Sequence, residues 1–133
     1  MIELDISKKN LYSHGKKKIK YYLTLARRQR LDFEKMCQLI SERTTLNAYE
    51  VEFVLSVLQD VAIENLQLGR GVNLEELGVF SPNFKTKGEY DLEKVSADNI
   101  QQVVVNFRPA AKFRKGMDNA PVKETSRFNL KHE

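Results

Sequence analysis

The feature that most constrains this chain is the segment from Asn47 to Leu68, which carries more apolar side chains than one helix face can hold. Val51, Phe53, Val54, Leu55, Val57, Leu58, Val61, Ala62, Ile63 and Leu66 fall on two sides of a helix, whereas a surface helix keeps a single stripe. Asn47 is placed to cap its start, Glu50 follows three residues on as the capping-box partner, and Gly69 stops it. A chain of 133 residues has enough protein for one ordinary domain and little left to cover a second apolar side. That side is expected to meet another copy, so the pattern predicts a homodimer.

Around this helix the period of the sequence changes repeatedly. Ile2, Leu4 and Ile6 alternate, as do Ile19, Tyr21, Leu23 and Leu25, with turn-prone NLYSHG between them, which predicts a β-hairpin. Phe33, Met36, Cys37 and Ile40 then recur at helical spacing behind a capping Asp32, predicting a helix of about three turns. After Gly69, Val72 and Leu74 alternate, the chain bends at Glu75 and Glu76, and Leu77, Gly78, Val79 and Phe80 resume as a second hairpin. Residues 85–101 are polar and read as a connection, with Ser96 able to cap one helical turn. QVVVNF is a strand, Pro109 suits the first turn of a short helix that Gly116 ends, and from Asp118 the chain reads as a loose tail. The expected architecture is α+β with an antiparallel sheet, divided as residues 1–31, 32–117 and 118–133.

Charge is segregated along the chain. Residues 1–30 hold nine Lys and Arg against only Glu3 and Asp5, a local net of +7, whereas residues 31–84 are net negative and the whole chain is +4. Such segregation presents one cationic surface, the footprint of a phosphate-backbone binder. The candidate phosphate contacts are Lys16, Lys17, Lys18, Lys20, Arg27, Arg28 and Arg30, together with Arg108, Lys112, Arg114 and Lys115 near the last helix. Tyr12, Tyr21 and Tyr22 interleave with these lysines, in a pattern that suits stacking on bases of a single strand and suits core packing or a half-exposed strand face better.

Chemistry-bearing clusters are not evident in the sequence. Cys37 is the single cysteine and sits in an apolar stretch, so it reads as a small buried hydrophobe, with neither disulfide nor thiolate metal site. His14 and His132 lack metal-spaced neighbours, the acids are strung over helix surfaces, and GRG at 69–71 lacks phosphate-loop spacing. The expectation is a protein with no enzymatic activity and no cofactor, metal or small-molecule substrate. No apolar run of membrane-spanning length occurs, and MIELDISKKN lacks the layout of a secretion signal, so a cytoplasmic protein without membrane association is expected.

From Phe33 to about Met117 the order of elements and three motifs resemble the HU and integration host factor family of bacterial histone-like proteins. Val72, Leu74, Leu77, Gly78 and Phe80 are similar to its V-x-L-x-x-F-G-x-F hairpin, with Leu77 where phenylalanine is usual. Val105 to Pro109 followed by AAKFRK is similar to its last strand and F-K-P-G-K helix start, with Ala110 in place of glycine and Ala111 in place of lysine. The helix pair is similar to the one that builds the HU dimer, and the leading hairpin looks like the HU-related branch in which a basic strand pair precedes the helices. The resemblance implies an intertwined homodimer that binds double-stranded DNA at the nucleoid with little sequence preference. Its interface would hold Phe53, Val54, Val57, Leu58, Val61, Phe80 and Phe107. The chain departs from the family at the DNA-kinking arm, whose tip carries a wedging proline. Between Phe84 and Val103 there is no proline, and Glu89, Asp91, Glu93 and Asp98 outnumber Lys85, Lys87 and Lys94, so a shortened or absent arm is expected. Two other readings stand beside DNA binding: a protein-interaction module that keeps the dimer core without nucleic acid, and an RNA binder.

Overall fold

A computed structural model of the chain describes residues 1–125. The elements are β1 (Ile2–Ser13), β2 (Lys16–Leu25), α1 (Phe33–Ser41), α2 (Ala48–Gln67), β3 (Val72–Asn73), β4 (Gly78–Thr86), β5 (Ile100–Pro109), α3 (Ala111–Lys115) and β6 (Val122–Glu124), with 3-10 turns at Leu92–Lys94 and Ala97–Asn99. This is a mixed α+β chain with two small three-stranded sheets, ordered β2-β1-β6 and β3-β4-β5. Two compact units divide the described residues: 1–31 with 117–125, and Asp32–Gly116.

In the first unit β1 and β2 pair antiparallel from Leu4↔Leu25 to Ser13↔Lys16. Only His14 and Gly15 form the turn, both at positive φ (52° and 74°), the signature of a type I′ connection whose twist matches the strands. NLYS, read as turn from the sequence, is therefore strand. Residues 122–124, read as loose tail, instead form β6, which runs parallel to the start of β1 with Ile2 opposite Val122. Residues 126–133 of that tail, including His132, lie outside the described residues.

In the second unit the helix ends follow their capping residues. The Asp32 carboxylate accepts from the Lys35 N–H at 2.7 Å, and Asn47 and Glu50 close a reciprocal capping box. At the far end of α2, Gly69 has φ 78°, its N–H donates to the Leu66 carbonyl and that of Arg70 to the Asn65 carbonyl, which is a Schellman motif. β4 and β5 then pair from Gly78↔Pro109 to Thr86↔Ile100. The connection is thus shorter than 85–101: it spans residues 87–99 and is tied across its base by Lys87 N–H to the Asn99 carbonyl at 2.8 Å. Ser96 caps its second 3-10 turn, as its position suggested. Pro109 does not open the last helix; it ends β5, because Ala110 N–H still donates to the Leu77 carbonyl and holds the chain in the ladder. Helix α3 starts only at Ala111.

Burial is sparse. Among the described residues the buried hydrophobic side chains are Cys37 and Val51, at 2% and 3% exposure. Helix α2 turns Val51, with half-buried Leu55, Ala62 and Leu66, toward its own unit, while Phe53 stays 70% exposed and Val54, Val57 and Val61 are exposed with it. The apolar arc spans roughly 220° of the helix, far wider than the usual stripe. One face of the second sheet is apolar as well: Phe80 and Phe107 stand opposite each other with ring centroids 4.8 Å apart, followed by Pro82↔Val105 and Phe84↔Val103. Phe84, Val103, Val105 and Phe107 on that face are exposed.

Candidate nucleic-acid interface

Strand alternation sorts the hairpin lysines into two faces. Cross-strand partners share a face, so Ser13↔Lys16, Leu11↔Lys18, Lys9↔Lys20 and Ser7↔Tyr22 place Lys9, Lys16, Lys18 and Lys20 together. Along β2 these cations recur at about 6.7 Å, two strand residues apart. Lys9 directly faces Lys20, an arrangement that costs stability unless an anion lies over it. The opposite face carries Tyr12↔Lys17, Asn10↔Ile19 and Lys8↔Tyr21. Residues 6–26 contain six lysines and no Asp or Glu, and none of the six enters a described ion pair. From Ser7 to Leu23 the described strands of the ribbon pair only with each other, and a lone two-stranded ribbon is marginal in water.

The structure treats the expected phosphate contacts unequally. Lys16, Lys18 and Lys20 come together, whereas Lys17 turns to the tyrosine face. Lys9, which the sequence reading did not single out, completes the cationic face; its place depends on the hairpin register, which the two-residue turn fixes. Arg27 is drawn to Glu3 at 3.3 Å, a carboxylate that Lys123 also approaches at 3.3 Å. Arg28 and Arg30 lie in the exposed segment after β2. In the second unit Arg108 is exposed on β5, and Arg114 and Lys115 in the last turn of α3 complement its dipole. Lys112 pairs with Glu76, but both side chains are exposed, so the pair is worth little and a phosphate can compete for the ammonium.

Other chemistry-bearing groups are placed differently. Burial between α1 and α2 pushes the Cys37 thiol up from its usual pKa, and the Glu52 carboxylate adds to the effect, both favouring the thiol over the thiolate. Among the described residues no three His, Cys, Asp or Glu side chains gather as a metal would need. No described helix is long and apolar enough to cross a membrane.

Tyr12, Tyr21 and Tyr22 are exposed on the hairpin and enter no core. Of the two roles favoured for them from sequence, core packing does not occur, since their cross-strand neighbours are Lys17, Lys8 and Ser7, whereas an open strand face is where they stand. The ammonium of Lys8 instead sits 6.0 Å from the Tyr21 ring centroid, and that of Lys20 sits 5.6 Å from Tyr22.

None of the curated proteins matches the chain. A solved structure described as a "Putative bacterial DNA binding protein" from Bacteroides vulgatus ATCC 8482 is similar, with a TM-score of 0.61 at 14% identity, over 88% of this chain and 47% of that one. At that identity the likeness concerns the fold, and the chain spans about half the length of that protein. The model of the HU-HIG family, described as an HU domain fused to wHTH, Ig, or glycine-rich motif, matches residues 1–124 and so takes in the basic hairpin, helices α1 to α3 and the β4–β5 ribbon. The chain belongs to this HU-HIG family of HU domains.

Proposed function

We propose that this chain is a non-enzymatic DNA-binding protein of the nucleoid that acts as a homodimer and holds duplex DNA through its phosphates, with little sequence preference. The observation that carries the reading is the hairpin face of Lys9, Lys16, Lys18 and Lys20, which no described carboxylate neutralises. The HU-type family match and the fold shared with a protein described as DNA binding support it, and the match from residue 1 favours the branch whose helices follow a basic strand pair. Dimerisation is supported by the bare arc on α2 and by the exposed apolar face of β4 and β5, which a unit of this size would otherwise leave in water. The β4–β5 ribbon ends at Thr86 and Ile100 in an acidic, proline-free connection, so the reading includes no wedge and no strong kink.

A mobility-shift assay with random-sequence duplex at about 50 mM salt tests this, since backbone binding is strongest at low salt. Retardation is expected for the native chain, and replacing Lys9, Lys16, Lys18 and Lys20 together with alanine is expected to weaken it about a hundredfold or more. No retardation of the native chain, or equal retardation of the variant, overturns the reading. A kinked product in ring closure overturns only the absence of a wedge.

One observation favours a protein-interaction module instead: the acidic connection exposes Tyr90 and Leu92. A stoichiometric protein partner retained after nuclease treatment of a pull-down is the result expected of that second reading.

A further inference from the structure

The tyrosine face of the hairpin is left unused by duplex binding. A duplex keeps its bases stacked inside and offers the protein phosphates and groove edges, which the lysine face already suits. On the other face Tyr12 is 76% and Tyr21 59% exposed, with exposed Ile19 between them. Their cross-strand neighbours are Lys17, Lys8 and Asn10 respectively. A face built to pack on protein would be continuously apolar, as this one becomes only nearer the sheet at Ile6, Leu23 and Leu25. Here aromatic rings alternate with ammonium groups instead. Tyr12 and Tyr21 lie on opposite strands, four residues apart along the ribbon, or about 13 Å, with Ile19 midway. An unstacked strand spaces its nucleotides at roughly twice the 3.4 Å duplex rise, so two of its bases would meet the two rings with one over Ile19. Lys17 and Lys8 would then stand beside the intervening phosphates. Charge fits the same occupant, since no acidic residue lies between Ile6 and Ala26.

We infer that the Tyr12–Ile19–Tyr21 face of the N-terminal hairpin, with Lys8 and Lys17, is a stacking site for an unpaired nucleic-acid strand, separate from the duplex-binding lysine face on the other side of the ribbon. This rests on the nucleic-acid reading above and deepens it: one element takes duplex on one side and an unpaired strand on the other, as at a melted segment or a strand end. Both DNA and RNA strands have the required chemistry.

Because the chain has no tryptophan, tyrosine emission reports stacking directly. Titration of the full chain with oligothymidylate and with oligouridylate is expected to quench that emission, the two arms showing which sugar is preferred. Replacing Tyr12 and Tyr21 together with alanine is expected to weaken single-strand binding at least about 30-fold, while duplex retardation stays within about twofold. The Tyr12→Phe, Tyr21→Phe pair keeps both rings and is expected to bind like the native chain. Absence of quenching, alanine variants that bind both oligonucleotides within about threefold of the native chain, or equal loss in the alanine and phenylalanine pairs overturns the inference. Quenching by a single strand without any duplex retardation overturns the duplex reading and leaves this one standing; the reverse result does the opposite.

Discussion

Replacing Phe53 and Val57 together with aspartate is expected to raise the dimer dissociation constant at least about 10⁴-fold and to abolish retardation of duplex DNA. The two residues lie one turn apart in the exposed arc of α2. In a monomer both substitutions would be harmless, since they exchange exposed apolar groups for charges. Between two copies they would forfeit about 1.5–3 kcal/mol of burial each and place unpaired carboxylates in an apolar interface, at several kcal/mol more. Sedimentation equilibrium at low micromolar concentration reads the result. An unchanged mass and an unchanged melting temperature would show that the arc faces something other than a second copy.

Gly78→Ala is the other substitution with a large expected effect. Gly78 begins β4 with φ 150°, and a Cβ there would lie 2.4 Å from the Arg108 carbonyl oxygen and 2.7 Å from the Phe107 ring. A side chain at this position combines a backbone conformation reserved for glycine with a clash against the partner strand, which cannot give without parting the ladder. The cost is about 3–5 kcal/mol, a large share of the stability of a small domain. Thermal melting should drop by roughly 15–30 °C. Gly69→Ala is the comparison: φ is 78°, no atom lies within 4 Å of the added Cβ, and only about 1–2 kcal/mol is expected. Equal melting shifts for the two variants would contradict this account of Gly78.

The contrast between these glycines also shows what the sequence can and cannot convey. Gly69 was legible because its role is local: it ends a periodic helix, and the Schellman bonds reach back only a few residues. Asp32, Asn47 and Glu50 were legible for the same reason. The second hairpin was legible too, but the close approach of Gly78 to Phe107 joins residues far apart in the chain. β6 was missed because Val122–Glu124 pairs with β1 across nearly the whole sequence, and three residues carry no periodic signal. Pro109 misled because its fixed φ suits a first helical turn and the end of a strand alike.

The candidate binding surface was half legible. Six lysines without an acid mark the hairpin as cationic in any reading. Which of them act together depends on period-two alternation and on the turn that sets the register. KKK at 16–18 reads as one cluster, yet Lys17 is turned away from its neighbours, and Lys9 joins them from the other strand. For the tyrosines the strand face was legible, but whether a core covers it was not, because a propensity for strand faces does not tell whether another layer lies over that face.

In the proposed function, two copies meet along α2 and grip nucleic acid by its phosphates through their pooled cations. Its most direct test is a titration of random duplex across a range of salt concentrations. If about six phosphates are neutralised, log K is expected to fall linearly with log salt at a slope near −5. A slope shallower than about −1 would mean that phosphates are not what the protein holds, and would contradict the account.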